Sequence, residues 1–259
     1  MLPQILASDF DGVICNGLIE YFASTEKAYQ KIWQQEKLTN SDNFAEDFYR
    51  LRPVIETGWE MPVLLRALVL KYQPDRILNN WRDIRDKIVE QEQLDKKRCS
   101  QALDTARDNW IKNDLAGWLK LHRFYPGVLD RLKQVIDSNV QFYIVTTKEG
   151  RFVKQLLKQQ GIELNETQII GKESQRPKYE TLRIIRDRAP ESNPNIWFIE
   201  DRLQALKQVQ QQPDLQDVKL FLADWGYNTE PDKNFAKSDS DLNLISLDKF
   251  SRDFSLWLQ

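Results

Sequence analysis

The feature that most constrains this chain is a four-residue apolar run, Ile5 to Ser8, cut off at once by Asp9-Phe10-Asp11-Gly12. So short a run, stopped by two acids and a glycine, reads as a buried strand passing into a loop. The same texture returns at Gln141 to Thr146, Gln168 to Ile170, Ile196 to Ile199 and Lys219 to Ala223. Stretches with helical spacing separate these runs: Val128 to Ile136, Phe152 to Leu157 (closed near Gly161), Tyr179 to Asp187, and Leu203 to Gln212. Leu244 to Leu247 reads as a last strand before a short terminal helix. Strand and helix in alternation predict an α/β fold with an open parallel sheet. In such sheets the polar residues at the carboxyl ends of strands build the site.

One block breaks the alternation. From Leu18 to His122 helical stripes dominate: Tyr21, Phe22, Ala28, Tyr29 and Trp33; then Val63, Leu64, Ala67, Leu68 and Leu70; then Ile77, Leu78, Trp81, Ile84 and Ile88; then Leu103, Ala106, Trp110 and Leu115. Residues 18–123 carry 18 basic and 17 acidic side chains, so the block is nearly neutral. The expected organisation is a Rossmann-like core with helices on both faces, formed by 1–17 and 124–259, and an inserted all-helical cap at 18–123.

Composition narrows the chemistry. With 37 Lys+Arg against 39 Asp+Glu, the formal charge of −2 gives no footprint for nucleic acid or anionic lipid. No apolar run approaches the ~18 residues of a membrane span, and the N-terminus lacks a signal-peptide or transit-peptide layout. Two cysteines, Cys15 and Cys99, make neither a disulfide framework nor a four-cysteine zinc site. A single histidine, His122, argues against His-based metal sites and a Ser/His/Asp triad. The expectation is a cytoplasmic protein, monomer or homodimer, with no membrane or nucleic-acid partner. Its chemistry then falls to carboxylates, hydroxyls and lysines.

Three strand ends supply such groups: Asp9 with Asp11, Thr146 with Lys148, and Glu200 with Asp201, while Lys178 opens the helix between the last two. Of two carboxylates one residue apart, one can attack phosphorus while its neighbour handles a proton. A carboxylate from another strand end would complete an oxygen site suited to Mg2+. A hydroxyl and a lysine can then hold phosphoryl oxygens and offset the negative charge.

These residues resemble the motifs of the haloacid dehalogenase (HAD)-like hydrolases, helical-cap (phosphoglycolate-phosphatase-like) branch. Asp9-Phe10-Asp11-Gly12-Val13 looks like the first motif, Val145-Thr146-Thr147-Lys148 the second, Pro177-Lys178 the third, and Phe198-Ile199-Glu200-Asp201 the fourth. Tyr125-Pro126-Gly127-Val128 resembles the re-entry into the core, and Trp225-Gly226-Tyr227-Asn228 a post-strand turn of that branch. The resemblance implies a Mg2+-dependent phosphatase acting on a small phosphorylated metabolite through an aspartyl-phosphate intermediate. Asp9 would be nucleophile and metal ligand, and Asp11 general acid/base with its carbonyl on the metal. Thr146 and Lys178 would hold the phosphoryl group, with Thr147 and Lys148 also on substrate. Asp201 would bind the metal, with Glu200 bound to it directly or through one water. Arg176 and Lys172 stand as alternatives to Lys178. A phosphomutase, or an idle binding protein on the same fold, remains an alternative.

Plainer readings stand beside these. Thr146 can cap the next helix, and Glu200-Asp201 can favour a helix N-terminus. His122 reads as structural and Cys15 as a packed small residue. Arg52 to Glu60, broken by Pro53 and Gly58, is either a helix connection or a substrate-contact segment in which Arg52 pairs with an anion and Trp59 stacks.

Overall fold

The computed structural model describes residues 2–34, 38 and 41–258. The chain divides into two compact units, one formed by Met1–Asn16 with Arg123–Gln259 and the other by Gly17–His122.

The first unit is built on a six-stranded sheet. Its strands are β1 (Ile5–Ser8), β4 (Gln141–Val145), β5 (Ile169–Ile170), β6 (Ile196–Glu200), β7 (Lys219–Ala223) and β8 (Leu242–Ile245), in the order β5-β4-β1-β6-β7-β8. Every pairing is parallel. β1 and β6 are buried along their whole length, as strands covered on both faces must be. Alternation sorts their side chains. Ile5, Ala7, Ile196, Phe198, Leu220 and Leu222 join Leu182, Ile185, Leu203, Leu206 and Val209 in one core cluster. The last five belong to α8 (Lys178–Arg188) and α9 (Leu203–Gln210). Trp197 and Phe221 point the other way and meet Phe254 and Trp257.

α6 (Val128–Ile136), α7 (Gly150–Gln159) and α10 (Glu230–Ser238) complete the main crossovers. α10 was not foreseen, although its Thr229-x-x-Asp232 capping box is readable in sequence. The last strand runs from Leu242 to Ile245, two residues earlier than expected. Ser246 ends it by accepting a hydrogen bond from the Lys249 amide at 3.2 Å and so starting α11 (Leu247–Phe250). An antiparallel pair too short to read in sequence, β2 (Cys15–Asn16) with β3 (Arg123–Phe124), flanks the excursion to the second unit.

The second unit is helical, with α1 (Leu18–Ile32), α2 (Ala45–Leu51), α3 (Glu60–Val69), α4 (Pro74–Gln91) and α5 (Lys96–Leu119). Most of the stripe residues lie inside it, but Leu70 at the end of α3 and Leu78 on the outer side of α4 are exposed, and acids are drawn in among the stripes. Glu20, fully buried, accepts from Arg107 Nε at 2.8 Å, Ser24 Oγ at 2.6 Å and Trp118 Nε1 at 3.2 Å. Glu60 pairs with Arg85 at 2.8 Å, and Glu92 takes Arg66 at 2.7 Å and Trp33 Nε1 at 2.6 Å. Trp81 and Trp118 thus bring an indole N–H to a buried carboxylate besides filling space, and Trp33 brings one to the half-buried Glu92. Among the described residues no helix is long and apolar enough to cross a membrane.

Candidate active site

β1 lies between β4 and β6, so crossovers leave it in opposite directions and a crevice opens beyond its carboxyl end. Asp9 steps directly off β1, its amide continuing the ladder to the Ile199 carbonyl at 2.9 Å. The side chain is held at both oxygens. Oδ1 accepts the Phe10 amide at 2.7 Å, and Oδ2 lies 2.9 Å from Lys178 Nζ. Lys178 is the first residue of α8, and its ammonium also reaches Glu200 Oε2 at 2.5 Å. Glu200, at the end of β6, is fully buried and turns its other oxygen to the amides of Asp201 and Arg202 at 3.1 and 2.9 Å.

Asp201 is fixed by the turn after β7. The Tyr227 amide donates to its Oδ2 at 2.7 Å, and Asn228 Nδ2 bridges the carbonyls of Asp201 and Ala223 at 3.1 and 2.7 Å. Two glycines make that approach possible. A Cβ on Gly12, whose φ is +87°, would fall 2.1 Å from Asp201 Oδ2, and one on Gly226 would fall 2.2 Å from Asp201 Cβ.

A second group comes from the end of β4. Thr146 is buried and its Oγ1 accepts the Lys148 amide at 3.1 Å, which leaves the hydroxyl proton to donate elsewhere. Lys148 Nζ reaches both oxygens of Asp11, at 3.2 and 3.3 Å.

Charge in the crevice is unbalanced. Oxygens of Asp9, Glu200 and Asp201 lie within 4.8 Å of one another, all three residues being buried. Burial pushes the Asp9 carboxyl up to about 7 against the pull of Lys178, with Glu200 adding to the rise. Burial likewise pushes Glu200 up to about 7, again against Lys178 and with help from Asp201. Asp201 is raised by burial and then by Asp9. Burial alone would lower Lys178, yet the carboxylates of Asp9 and Glu200 hold it above the usual lysine range. Asp9 and Glu200 flank the Lys178 ammonium and Asp201 lies beside them, so the four groups carry a formal charge of −2, which one divalent cation neutralises. Oxygen-only donors suit a hard cation. Asp9 and Glu200 each set one oxygen on Lys178 and the other on main-chain amides, one amide for Asp9 and two for Glu200, so Glu200 is the more heavily committed of the two.

Of the residues singled out in sequence, Asp9, Lys178, Glu200 and Asp201 meet in one cluster, and Lys148 meets Asp11. Thr147 is exposed, as are Arg176 and Lys172, whereas the Lys178 side chain is 14% exposed. Arg52 and Trp59 lie in the helical unit. The Arg52 guanidinium donates to the Ile55 carbonyl at 3.1 Å and lies over Tyr21, and Trp59 is flanked by Arg85 and Lys96. Sequence reasoning noticed the 225–228 turn but gave it no task, and it missed Gly12 as a partner of Asp201. The only signal was glycine itself, since closeness of Gly12, Gly226 and Asp201 is a tertiary fact.

No protein-family model matches the sequence, and no curated protein matches it either. Solved structures do. A predicted phosphatase from Clostridium acetobutylicum superposes with a TM-score of 0.61 at 13% identity, covering 97% of both chains. A haloacid dehalogenase-like family hydrolase from Streptococcus pneumoniae gives 0.59 at 15%, covering 94% of both. Protein Tyrosine Kinase A of Mycobacterium tuberculosis gives 0.56 at 14%, covering 95% of this chain and 93% of its own. This chain therefore has the HAD-like fold, as its motifs suggested. At such identities the likeness speaks for the fold, and a kinase among the matches underlines that activity must be argued from the site.

Proposed function

We propose that this protein is a Mg2+-dependent phosphatase that hydrolyses a small phosphomonoester through an aspartyl phosphate on Asp9. The observation that carries the reading is Asp9 itself: a buried carboxylate at a parallel strand end, gripped at both oxygens and followed two residues later by Asp11. A nucleophile fixed in this way loses little freedom on reaching the transition state. Asp9 attacks phosphorus, the bond from phosphorus to the ester oxygen breaks, and Asp11 gives that oxygen its proton. Water then attacks the same phosphorus, Asp11 takes its proton, and the Asp9–phosphorus bond breaks to release phosphate and restore both carboxyl groups. Lys178 and the Thr146 hydroxyl support the phosphoryl oxygens, each pre-oriented by contacts already described.

Asp9, Asp201 and the Asp11 carbonyl would hold Mg2+, which when bound neutralises the crowded carboxylates and draws charge from the phosphoryl group. Glu200 serves as the anchor of Lys178. Selection of the substrate is assigned to the helical unit. Both cysteines are unbridged, which suits the cytoplasm.

The test is phosphate release from p-nitrophenyl phosphate and a panel of phosphorylated metabolites, with and without Mg2+. Asp9→Asn is isosteric but a very poor nucleophile, so turnover should fall by ~10⁴-fold or more with the melting temperature kept. A folded Asp9→Asn protein with substantial residual turnover would reject the nucleophile. Release that persists in excess chelator would reject the metal. Transfer of phosphate to an added sugar in preference to water would make the protein a phosphomutase.

A further inference from the structure

Lys148 stands two residues beyond Thr146 with its side chain only 8% exposed, and its ammonium faces both oxygens of Asp11 at 3.2 and 3.3 Å. A nearly buried ammonium is costly unless paired, so this is not a solvated surface lysine. Its backbone is placed from two sides. The Lys148 amide donates to Thr146 Oγ1 at 3.1 Å, and its carbonyl accepts the Lys172 amide at 2.9 Å. Gly171 allows that approach, because a Cβ there would fall 2.7 Å from the Lys148 carbonyl oxygen and 2.4 Å from the Gly150 amide nitrogen. The Gly150 amide in turn donates to Glu173 Oε2 at 3.1 Å. The loop is thus built to present this ammonium at one spot.

The two lysines of the crevice divide the two aspartates between them. Lys178 spans Asp9 and Glu200, whereas Lys148 spans the two oxygens of Asp11. We infer that Lys148 is a positioning residue that acts through Asp11, fixing its carboxyl group where it can exchange a proton with the departing ester oxygen. The inference rests on the hydrolase reading and assigns Lys148 a task other than binding the phosphoryl group. A carboxyl met at both oxygens has its side-chain torsions set, yet each oxygen keeps a second lone-pair direction that can carry the proton passed to the ester oxygen. Misplacing a reacting group by about 1 Å costs on the order of 10²-fold in rate. The cost should be felt only where the Asp11 proton is needed.

That dependence supplies the test. Lys148→Met, Lys148→Arg, Asp11→Asn and the Lys148→Met/Asp11→Asn double variant are assayed with Mg2+ on p-nitrophenyl phosphate and on glycerol phosphate. The first has a leaving group that departs without a proton, and the second does not. Lys148→Met should lower kcat on glycerol phosphate about tenfold or more beyond its effect on p-nitrophenyl phosphate, within the range a general acid supplies. Inhibition by inorganic phosphate should stay near wild type, and Lys148→Arg should recover most of the loss. In the Asp11→Asn background Lys148→Met should change nothing further, because the group through which it acts is gone. Equal losses on both esters with weakened phosphate inhibition would make Lys148 a phosphoryl ligand and overturn the inference. So would losses that multiply in the double variant. If Lys148→Met does not fold, Lys148→Gln carries the same comparison. A wild-type protein that hydrolyses neither these esters nor any member of the metabolite panel would reject the hydrolase reading and this inference together; turnover with losses that multiply rejects the inference alone.

Discussion

Both units of this protein bury carboxylates, and they treat them in opposite ways. Among the described residues of the helical unit the two buried acids each meet a guanidinium, Glu20 that of Arg107 and Glu60 that of Arg85, and the half-buried Glu92 meets Arg66. The Ser24 hydroxyl and the Trp118 indole donate to Glu20, and the Tyr29 hydroxyl accepts from Arg66, which closes those networks. In the α/β unit Asp9 and Glu200 share Lys178, Asp201 lies beside them with no ammonium of its own in the cluster, and all three carboxyl groups are pushed up. A balanced buried acid ties helices together, and the arrangement has nothing left to offer a ligand. An unbalanced cluster holds electrostatic free energy that a cation or a phosphoryl group can relieve. The contrast teaches that burial of an acid is not itself a functional mark. The unmatched charge is.

The comparison can be broken hardest at Lys178. Lys178→Ala removes the one ammonium that spans Asp9 and Glu200, and turnover should fall by ~10²–10³-fold, the cost of losing a well-placed electrostatic partner. Arg176→Ala should leave turnover near wild type, because Arg176 is exposed. Steady-state phosphate release on the two variants decides, and a larger defect for Arg176→Ala would move the phosphate-binding cation to the loop.

In the helical unit the matching experiment reads stability. Arg107→Met strands Glu20, whose side chain is 1% exposed, and breaking one partner of a buried pair costs about 3–5 kcal/mol. Urea unfolding, followed by a probe in the helical unit, should show that loss. Replacing the pair together, Glu20→Gln with Arg107→Met, should recover part of it. A cost below about 1 kcal/mol, the range of exposed pairs, would mean that Glu20 is wetter than its surroundings indicate.

The smallest effect is a slope. Asp9 and Glu200 titrate near 7 in the folded protein, against ordinary values of 3.8 and 4.5. Between those limits the folded state keeps protons that the unfolded chain has released. The stability this contributes is fully present below about pH 4 and lost as pH rises through about 7. In chelator, the melting temperature should therefore decline from pH 5 to pH 8, and less steeply in Asp9→Asn. Added Mg2+ should flatten the wild-type slope by supplying the charge that the protons had supplied. A wild-type slope no steeper than that of Asp9→Asn would show that these acids are already balanced.

The sheet was readable because its signals are local. Lys219 to Ala223 stands as expected, and Gln141 to Thr146 ends one residue early at Val145, since short apolar runs bounded by turn residues report burial on both faces. The helical insert was readable for the same reason, through stripes of period 3.6. Misreadings fell where a single cap decides, as at Ser246, or where two-residue strands pair across a hundred residues, as Cys15 does with Phe124.

Sequence by itself determined the class of sheet, the helical insert, and the residue types delivered to the strand ends. Those follow from side-chain periodicity and from the chemistry of Asp, Thr, Lys and Glu. Only the tertiary structure decided which groups are paired. Nothing in the spacing of Asp9, Lys178, Glu200 and Asp201 says that one ammonium is shared by Asp9 and Glu200 while Lys148 turns to Asp11. Charge balance depends on distance and burial, and both are set by strands far apart in sequence that the sheet brings side by side.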